Sequence, residues 1–322
     1  MGIQRVSSKW TKTAVLQRSR NVNGYIPVTR QYSRQALERM TELFESNYIK
    51  PDRGTYGNGV MRVKKIRKFP LAIPSAVSII EETRSENVDE QLSASSDEIS
   101  DEISDEISAE ISAAIPMTTY ELRYGTDKRY FHSLDELDLA LTKRIQKRDY
   151  IIQQGIPLMK HDELPFDLRV LTQKNLQRNW ETTGILGRIA APGKIITNIH
   201  GGGRLATFDE LVRPHFDKDR FQQLRSELYR LGIHTAVQLQ KSFPRLKEIG
   251  IDIAMDEDGR PWIIEVNTLP GIYAFGLLPD KETYRKIKRY ARAYGRLPSR
   301  KGKTSRTSPK AQAPSAKSRI HR

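Results

Sequence analysis

The spacing of apolar residues along the chain predicts strands and helices that alternate. Runs with the period of two, or the continuous apolar character, of strands lie at 47–51, 60–66, 119–124, 149–156, 166–175 and 180–190. Apolar residues with helical spacing lie at 33–46, 132–146, 215–241 and 280–293. Ser33 is suited to cap the first helix, and Ser133 and Glu136 have the spacing of a capping box at the second. This alternation favours a mixed α/β core of the α+β class over a helical bundle.

The segment 249–271, IGIDIAMDEDGRPWIIEVNTLPG, predicts a hairpin that brings two carboxylates together. Asp258-Gly259 is favoured as a two-residue turn because a type I′ turn needs positive φ at both positions. Pairing outward from this turn sets Asp252 directly opposite Glu265. The opposite face is predicted to be core, with residues from both strands: Ile251, Ile253, Met255, Trp262, Ile264 and Val266.

These acids and a nearby amide form a candidate metal site. The strand period of two puts Asn267 on the same face as Glu265. Opposed carboxylates destabilise a sheet unless a cation lies between them, and oxygen donors suit Mg²⁺ or Mn²⁺. No histidine or cysteine accompanies Asp252 and Glu265 in this segment, which argues against zinc. The alternative is an ordinary solvent-facing side of an edge hairpin.

A glycine-rich loop follows the strand at 47–51. YIKPDRGTYGNGV has a lysine at the strand end, Lys50, and then three glycines, Gly54, Gly57 and Gly59. Glycine lets backbone N–H groups approach anionic oxygens, and the lysine adds a point charge. The Walker pattern is absent because no Gly-Lys-Ser/Thr follows. The segment is therefore a candidate phosphate loop, and a simple flexible hairpin is the alternative.

Two further segments offer polar contacts. YIIQQGIPL is an apolar strand that runs into a polar linker, whose backbone could meet the edge of an adenine ring. In FDLRV, Asp167 could bind ribose hydroxyls, and Arg169, on the same strand face, could bind phosphates. The alternative for each side chain is a surface salt bridge.

Composition limits the class of protein. The chain has 322 residues, no cysteine and a net charge of +15. No apolar run approaches the roughly 20 residues that a membrane span needs, and the N-terminus lacks the apolar core of a signal peptide, which predicts a cytoplasmic protein. Residues 295–322 lack acidic side chains and predict a disordered basic tail that contacts polyanions. Residues 70–116 repeat Asp-Glu-Ile-Ser and predict a solvated low-complexity insertion, or else a weakly self-associating helix.

Together these segments resemble the ATP-grasp fold, and specifically the endospore coat-associated YheC/YheD family. The resemblance covers about residues 9–290 apart from the insertion, and its most distinctive motifs are TNIHGGG and EIGIDIAMDEDGRPWIIEVNTLPG. The other motifs are KW at 9–10, YIPVT at 25–29, YIKPDRGTYGNGV, YIIQQGIPL, FDLRVLTQKN and WETTGILGRIA. The family implies two lobes that clamp ATP between antiparallel sheets.

The resemblance also implies a division of the chain. The nucleotide-clamping lobe would comprise 33–69 and 117–152, and the second lobe, with the metal site, would comprise 153–294. Residues 1–32 would be an N-terminal segment in which the domain that often precedes an ATP-grasp domain is vestigial or absent. That domain often helps to hold the acceptor substrate, so its absence affects substrate recognition.

The resemblance assigns roles to single residues. ATP would be bound by Lys50, by a closing loop with Gly54, Tyr56, Gly57 and Gly59, by the adenine hinge of Gln153, Gln154 and Ile156, and by Asp167 at the ribose. Magnesium ligands would be Asp252, Glu265 and Asn267. Arg169, Arg188 and Asn198 would line the phosphate and acceptor side, and Lys9 or Lys12 would be the first-lobe lysine.

The implied activity is an ATP- and Mg²⁺-dependent (or Mn²⁺-dependent) ligase that forms an acylphosphate from an unidentified carboxylate and joins it to an unidentified amine. The role would be in sporulation or spore coat formation. The alternative is a catalytically silent ATP-binding or structural protein that interacts with spore coat proteins. The missing domain and the basic tail favour the alternative, whereas the intact carboxylate and amide set favours the enzyme.

Overall fold

A computed structural model describes residues 2–54, 57–68, 117–194, 197 and 202–298. The predicted insertion and most of the predicted tail therefore lie outside the described residues, as do Tyr56 and Asn198. None of the helices in the described part of the chain combines the length and apolar character that crossing a membrane requires. The described residues form two lobes, each built on one antiparallel sheet.

The first lobe follows an N-terminal helix, α1 (Lys9–Leu16). Its elements are β1 (Thr29–Gln31), α2 (Arg34–Leu43), β2 (Ser46–Pro51), β3 (Met61–Lys68), β4 (Met117–Tyr124), β5 (Asp127–Phe131), α3 (Leu134–Ile145) and β6 (Tyr150–Gln154). The strand order is β1-β6-β2-β3-β4-β5. Helices α2 and α3 cover one face, where Leu37, Ile49, Val63, Leu122 and Leu141 are buried.

Both predicted caps of this lobe are confirmed. The Ser33 hydroxyl accepts a hydrogen bond from the backbone N–H of Ala36 at 3.0 Å. Ser133 accepts from the N–H of Glu136, whose carboxylate in turn accepts from the N–H of His132 at 3.1 Å. These contacts satisfy N–H groups that a helix start leaves without an intrahelical partner.

The second lobe has β7 (Lys160–His161), β8 (Leu164–Lys174), β9 (Trp180–Ile189), β10 (Arg204–Thr207), α4 (Phe208–Val212), α5 (Lys218–Ser242), β11 (Glu248–Met255), β12 (Pro261–Asn267) and α6 (Lys281–Ala293). The strand order is β10-β9-β8-β11-β12, and β7 pairs with β8. Helix α5 packs on one face of this sheet, whose core includes Phe166, Leu168, Ile251 and Leu228. Helix α6 covers only part of the other face, through Leu171, Leu186 and Ile287. The uncovered part is open for a site.

The β11–β12 hairpin has the predicted carboxylate register but not the predicted turn. Asp252 pairs with Glu265, as expected. The loop, however, is the three residues 257–259, with Gly259 at φ 75° and the N–H of Asp256 bonded to the carbonyl of Arg260. A β-bulge between Asp252 and Ile253 adds one residue on β12. The longer loop and the bulge shift the register by one residue in opposite directions, so their effects cancel at Asp252.

The bulge also changes which side chains of β12 face the core. Ile263, 4% exposed, pairs with Ile253 and packs in the core with Val266. The predictions that Trp262 and Ile264 are core residues are therefore wrong. The physical reason is that the three-residue loop shifts the side chains before the bulge, including Trp262 and Ile264, to the other face of the strand, and the bulge restores the predicted face at Val266.

We expect Gly232→Ala to destabilise the second lobe. Gly232 lies where α5 crosses the sheet, and an added Cβ would meet Thr182 Oγ1 at 2.3 Å and Thr172 Oγ1 at 2.5 Å. These hydroxyls are hydrogen-bonded to each other at 3.1 Å, so neither moves away freely. Overpacking should lower the free energy of unfolding by about 1–3 kcal/mol, although alanine is intrinsically the better helix former. Denaturant titration measures the change.

Gly24→Ala is the matched control, because an added Cβ there meets no atom within 4 Å. Unchanged or increased stability of Gly232→Ala, relative to this control, would contradict the close packing of α5 on the sheet.

Candidate functional site

The uncovered face of the second-lobe sheet carries four alternating charges in adjacent strands. Asp167 on β8 pairs in register with Arg188 on β9, and Arg169 on β8 pairs with Asp252 on β11. Because strand residues two apart share a face, all four side chains lie on the side of the sheet opposite α5. Glu265 extends the row on β12.

These charges are connected by hydrogen bonds. The guanidinium of Arg188 donates to both carboxylate oxygens of Asp167, at 2.7 and 2.6 Å, and lies 3.2 Å from Asp252 Oδ2. The Arg169 guanidinium donates to Asp252 Oδ1, and the Thr197 hydroxyl donates to Asp167. Such bidentate, charge-assisted bonds fix side-chain geometry closely. The network therefore holds Arg169 and Arg188 in defined positions.

The pKa values of the two acids respond differently to this network. Burial raises the pKa of Asp167, which is 1% exposed, and the guanidinium of Arg188 only partly offsets this effect. Burial would also raise the pKa of Asp252, but Arg169 and then Arg188 outweigh it and lower this pKa. Burial lowers the pKa of Arg188, and the two carboxylates more than compensate, so that it is raised. Arg188 therefore stays charged between two buried acids.

The first lobe contributes a half-buried lysine, Lys50. The Lys50 ammonium donates to the side-chain carbonyl of Gln153 at 2.6 Å, and the Gln153 amide donates to the Thr29 hydroxyl at 3.0 Å. Burial lowers the pKa of Lys50 to about 8. Since a buried ammonium is costly unless an anion compensates it, this position favours an anionic ligand.

Helix α1 lies between the lobes and adds two lysines. The Lys9 ammonium donates to the carbonyl of Gly54 at 3.1 Å and lies 3.7 Å from Glu265 Oε1, so it touches the glycine-rich loop and the carboxylate hairpin together. Burial lowers the pKa of Lys12, which is 5% exposed, to about 8. Asp52 holds the start of the helix by accepting from the N–H of Trp10 at 2.7 Å.

Lys9, Lys12, Gln153 and Glu265 line a cleft between the lobes, and the other charged groups lie beside it. Its walls come from α1, from the segment before β1, from β6 and from β12: Lys9, Lys12, Thr13, Leu16, Ile26, Ile151, Gln153 and residues 263–266. The charged groups at and beside this cleft include five cations and three carboxylates: Lys9, Lys12, Lys50, Arg169, Arg188, Asp167, Asp252 and Glu265. The cationic excess favours a polyanion such as a phosphate chain.

Of the predicted site residues, Gln153 of the first lobe and Glu265 of the second line this cleft. Lys50 contacts Gln153, and Asp252, which pairs with Glu265, is bonded to Arg169. The glycines of the predicted phosphate loop have positive φ: Gly54 at 152°, Gly57 at 73° and Gly59 at 79°. Glycine tolerates these values without strain. Ile156 follows β6 and is half-buried.

Two predicted residues have contacts that differ from their expected roles. The side-chain carbonyl of Gln154 accepts from the backbone N–H of Val28 at 3.2 Å, so this side chain braces β1. Asp167 is expected at the ribose, but both its oxygens already accept bonds from Arg188 and one also accepts from Thr197. Its contacts are those of a residue that positions Arg188. Sequence reasoning missed Thr197 and Asp52, because no spacing signal connects either with its partner.

The predicted metal ligands supply only oxygen donors. Asp252 and Glu265 are cross-strand neighbours, and Asn267 follows two positions along β12. This donor set fits Mg²⁺ or Mn²⁺ rather than zinc. Among the described residues there is no group of three or more acidic, histidine or cysteine side chains that could hold a metal ion. Two carboxylates with an amide suit an ion that keeps several waters and phosphate oxygens as ligands.

The fold and the cleft define the class of the protein. Two lobes built on antiparallel sheets, with cations from both lobes and from α1 around the cleft between them, place it among the ATP-grasp proteins. The chain belongs to the YheC/D-like ATP-grasp family, whose model matches residues 3–297.

Two curated relatives agree with this assignment. The chain is 28% identical to the endospore coat-associated protein YheD of Bacillus subtilis (strain 168) over 155 residues, which are 47% of this chain and 34% of YheD. It is 23% identical to YheC of the same strain over 267 residues, or 82% of this chain and 60% of YheC. It therefore spans less than two thirds of either relative. The crystal structure of the D-cycloserine synthetase DcsG is similar with a TM-score of 0.46 and 10% identity, over 89% of this chain and 70% of that one.

We expect Arg188→Leu to be strongly destabilising at neutral pH. The change leaves buried Asp167 without its cation and removes one of the two arginines that contact Asp252. Uncompensated buried charge should lower the free energy of unfolding by about 3–5 kcal/mol. The loss should shrink as the pH falls, because a carboxylate without its partner becomes neutral more easily. Thermal unfolding at about pH 7.5 and about pH 5 measures both effects.

Arg204→Leu is the control, because it breaks an exposed pair with Glu210 at 2.8 Å in the same lobe. Its effect should stay below about 1 kcal/mol. Equal effects of the two substitutions would contradict the structural role of Arg188.

A second prediction concerns Lys50 and pH. Burial lowers its pKa from 10.5 to about 8, so the folded state binds fewer protons than the unfolded state between these values. The stability contributed by this group is therefore present above about pH 10.5 and lost as the pH falls to about 8. Relative to Lys50→Met, the free energy of unfolding of the wild type should rise by about 1–3 kcal/mol between about pH 7.5 and about pH 10.5.

Lys64→Met is the matched control, because Lys64 is exposed on the adjacent strand β3. Denaturant titrations at the two pH values measure the difference. A difference between Lys50→Met and wild type that does not depend on pH would show that the Lys50 ammonium is not desolvated.

Proposed function

We propose that the protein is an ATP- and Mg²⁺-dependent ligase that activates a carboxylate as an acylphosphate and joins it to an amine. The observation that supports this proposal best is the convergence of Lys9, Lys50 and Arg188 on a cleft bordered by Asp252 and Glu265. A cationic cleft beside a carboxylate pair suits a nucleotide triphosphate with its metal ion. Membership of the ATP-grasp family supports the same assignment.

In this proposal the two lobes bind different parts of ATP. Lys50 and the loop with Gly54, Tyr56, Gly57 and Gly59 bind the phosphates, and Lys9 connects that loop to Glu265. Gln153, Gln154 and Ile156 border the adenine. Asp167 orients Arg188 through the bidentate bond, while its assignment to the ribose hydroxyls stays a prediction that requires this bond to open.

Asp252, Glu265 and Asn267 would hold the metal ion, which when bound neutralises charge on the phosphate oxygens. A carboxylate oxygen of the substrate attacks the γ-phosphorus, and ADP leaves. The amine then attacks the acyl carbon, and inorganic phosphate leaves. Arg169, Arg188 and Asn198 are proposed to stabilise the charge on the transferred phosphoryl group.

This chemistry needs positioned charges and no side-chain nucleophile. The buried ion network meets that requirement, because it fixes the guanidinium groups of Arg169 and Arg188 before any ligand arrives. Preorganised cations stabilise developing charge without reorganising during the reaction.

A catalytically silent ATP-binding or structural protein is the second candidate. One observation favours it: Asp252 and Glu265 already have cationic partners in Arg169, Arg188 and Lys9, so these two carboxylates do not require a divalent ion to compensate their charge. The relatives are named as endospore coat-associated, and we propose a role in sporulation or the spore coat for either candidate. Polyanion contact through residues 295–322 stays a prediction.

Calorimetry with ATP and Mg²⁺ tests nucleotide binding. We expect binding by the wild type, and about a tenfold or greater loss of affinity for Lys50→Met and for Glu265→Gln, since each removes a charge that contacts phosphate or metal. Glu257→Gln is the matched control, because Glu257 is exposed in the loop of the same hairpin. Wild-type affinity in both test variants would exclude this site for ATP.

Turnover separates the two candidate functions. ADP release in a panel of amino acids and short peptides supports the ligase. Tight ATP binding without ADP formation across that panel would favour the silent protein.

A further inference from the structure

A short segment after α6 folds back onto the second-lobe sheet. The chain reverses at Gly295, which has a φ of 82°, and the backbone N–H of Arg296 donates to the carbonyl of Ala291 at 2.8 Å. Many helices end in a reversal of this kind, with glycine at the left-handed position. The reversal directs residues 294–297, here called the strap, toward the sheet.

The strap is attached through a buried carboxylate. Glu248, which is fully buried at the start of β11, accepts hydrogen bonds from the guanidinium of Arg296 and from the Tyr294 hydroxyl, the latter at 2.7 Å. Gln173 on β8, which is also fully buried, donates to the same hydroxyl at 2.5 Å. Glu248 precedes Asp252 by four residues on β11. Because strand residues at even spacing share a face, the strap lies on the sheet face that carries the ion network.

Arg296 also reaches the segment that follows the predicted metal ligands. Its guanidinium donates to the backbone carbonyl of Pro270 at 2.6 Å, and its side chain is only 14% exposed. Pro270 lies three residues after Asn267, the last of these ligands. Between them, the Thr268 hydroxyl accepts from the backbone N–H of Val6 at 2.8 Å. The segment is thus held before Pro270 by Val6 and at Pro270 by the strap.

Pro270 lies against the site itself. Asn267 pairs with Gly250 on β11, and the chain then folds back over this glycine. A Cβ added to Gly250 would meet Pro270 Cβ at 2.5 Å and Arg169 Cδ at 3.2 Å, so the proline ring and the stem of Arg169 share the space above it. Arg169 in turn donates to Asp252. A shift of Pro270 therefore acts on Asn267 through the backbone and on Arg169 through packing.

We propose that Arg296 is a positioning residue for the metal and phosphate site: by holding Pro270, it fixes Asn267 and Arg169 in the arrangement that binds Mg²⁺ with ATP. This inference rests on the proposed function, because it concerns the same site. Mg²⁺ demands near-ideal octahedral geometry at about 2.0–2.1 Å, whereas Ca²⁺ accepts flexible geometries at about 2.3–2.6 Å. Loss of the strap contact should therefore weaken the complex with Mg²⁺ more than the complex with Ca²⁺.

Paired variants of the full-length chain isolate the contact with Pro270. Arg296→Met alone would leave Glu248 buried without its cation, which destabilises the fold, so the comparison is made in a Glu248→Gln background. Glu248→Gln with Arg296→Met loses the bond to the Pro270 carbonyl, whereas Glu248→Gln alone leaves Arg296 in place. Lys286→Met is a further control, because it removes an ion pair between α6 and Glu181 of β9 and leaves the strap unchanged.

Calorimetry with ATP and either Mg²⁺ or Ca²⁺ measures the effect on the site. Relative to Glu248→Gln, the double variant should bind ATP about tenfold more weakly with Mg²⁺ and less than about threefold more weakly with Ca²⁺, since outer partners of a metal ligand typically contribute about 10–100-fold. Lys286→Met should stay within about twofold of the wild type with both ions. Equal losses with the two ions, or no loss in the double variant, would overturn the positioning role.

Amide hydrogen exchange tests the strap without nucleotide. Peptides that cover residues 264–272 should exchange about fivefold or more faster in the double variant than in Glu248→Gln, while peptides of β6 stay unchanged. Unchanged exchange at 264–272 would overturn the inference whatever the calorimetry shows. A wild type that binds no ATP with either ion would overturn the proposed function, and the positioning role with it, so the two failures are distinguishable.

Discussion

The structure depends on one constraint: the charges buried on the second-lobe sheet must be paired. Arg188 lies between Asp167 and Asp252, which come from different strands, and Arg169 completes the compensation of Asp252. Removing one partner of these ion pairs leaves a buried charge without compensation, which destabilises the fold far more than losing an exposed ion pair. The network therefore fixes the relative positions of β8, β9 and β11, while the other face of the same strands forms the apolar core.

The charges at and beside the cleft, in contrast, are not equal in number, because cations exceed carboxylates there. Burial depresses the pKa of Lys12 and of Lys50, so the ligand-free protein bears a desolvation cost that an anion would relieve. Lys9 contacts the carbonyl of Gly54 and the carboxylate of Glu265. A ligand that attracts Lys9 would thus act on the loop of one lobe and the hairpin of the other at once. A ligand that contacts the two lobes differently in two arrangements couples its binding to the relative position of the lobes.

Sequence patterns predicted most of the elements and their caps, because strand period and helix caps act over a few residues. The Asp252–Glu265 pairing followed from such local rules, yet the turn and the core residues of β12 did not, since a bulge depends on tertiary packing. The contacts of Gln154 and Asp167 were not predictable either, because their partners Val28 and Thr197 have no periodic relation to them. Helix α1 was missed for a related reason: two lysines in an eight-residue helix indicate solvent exposure, whereas here they are buried against the second lobe.

The position of the insertion in the first lobe explains how the fold tolerates it. Strands β3 and β4 pair continuously from Met61–Tyr124 to Lys68–Met117, so the insertion lies at the far end of an eight-residue ladder. Met61 also pairs with Ile49, next to Lys50, which places the phosphate-loop end of the hairpin about 23 Å from the insertion at the usual strand rise. The closure entropy of a loop grows only slowly with its length, and the ladder already aligns the two strands. A long acidic segment can therefore be accommodated without disturbing the residues that border the cleft.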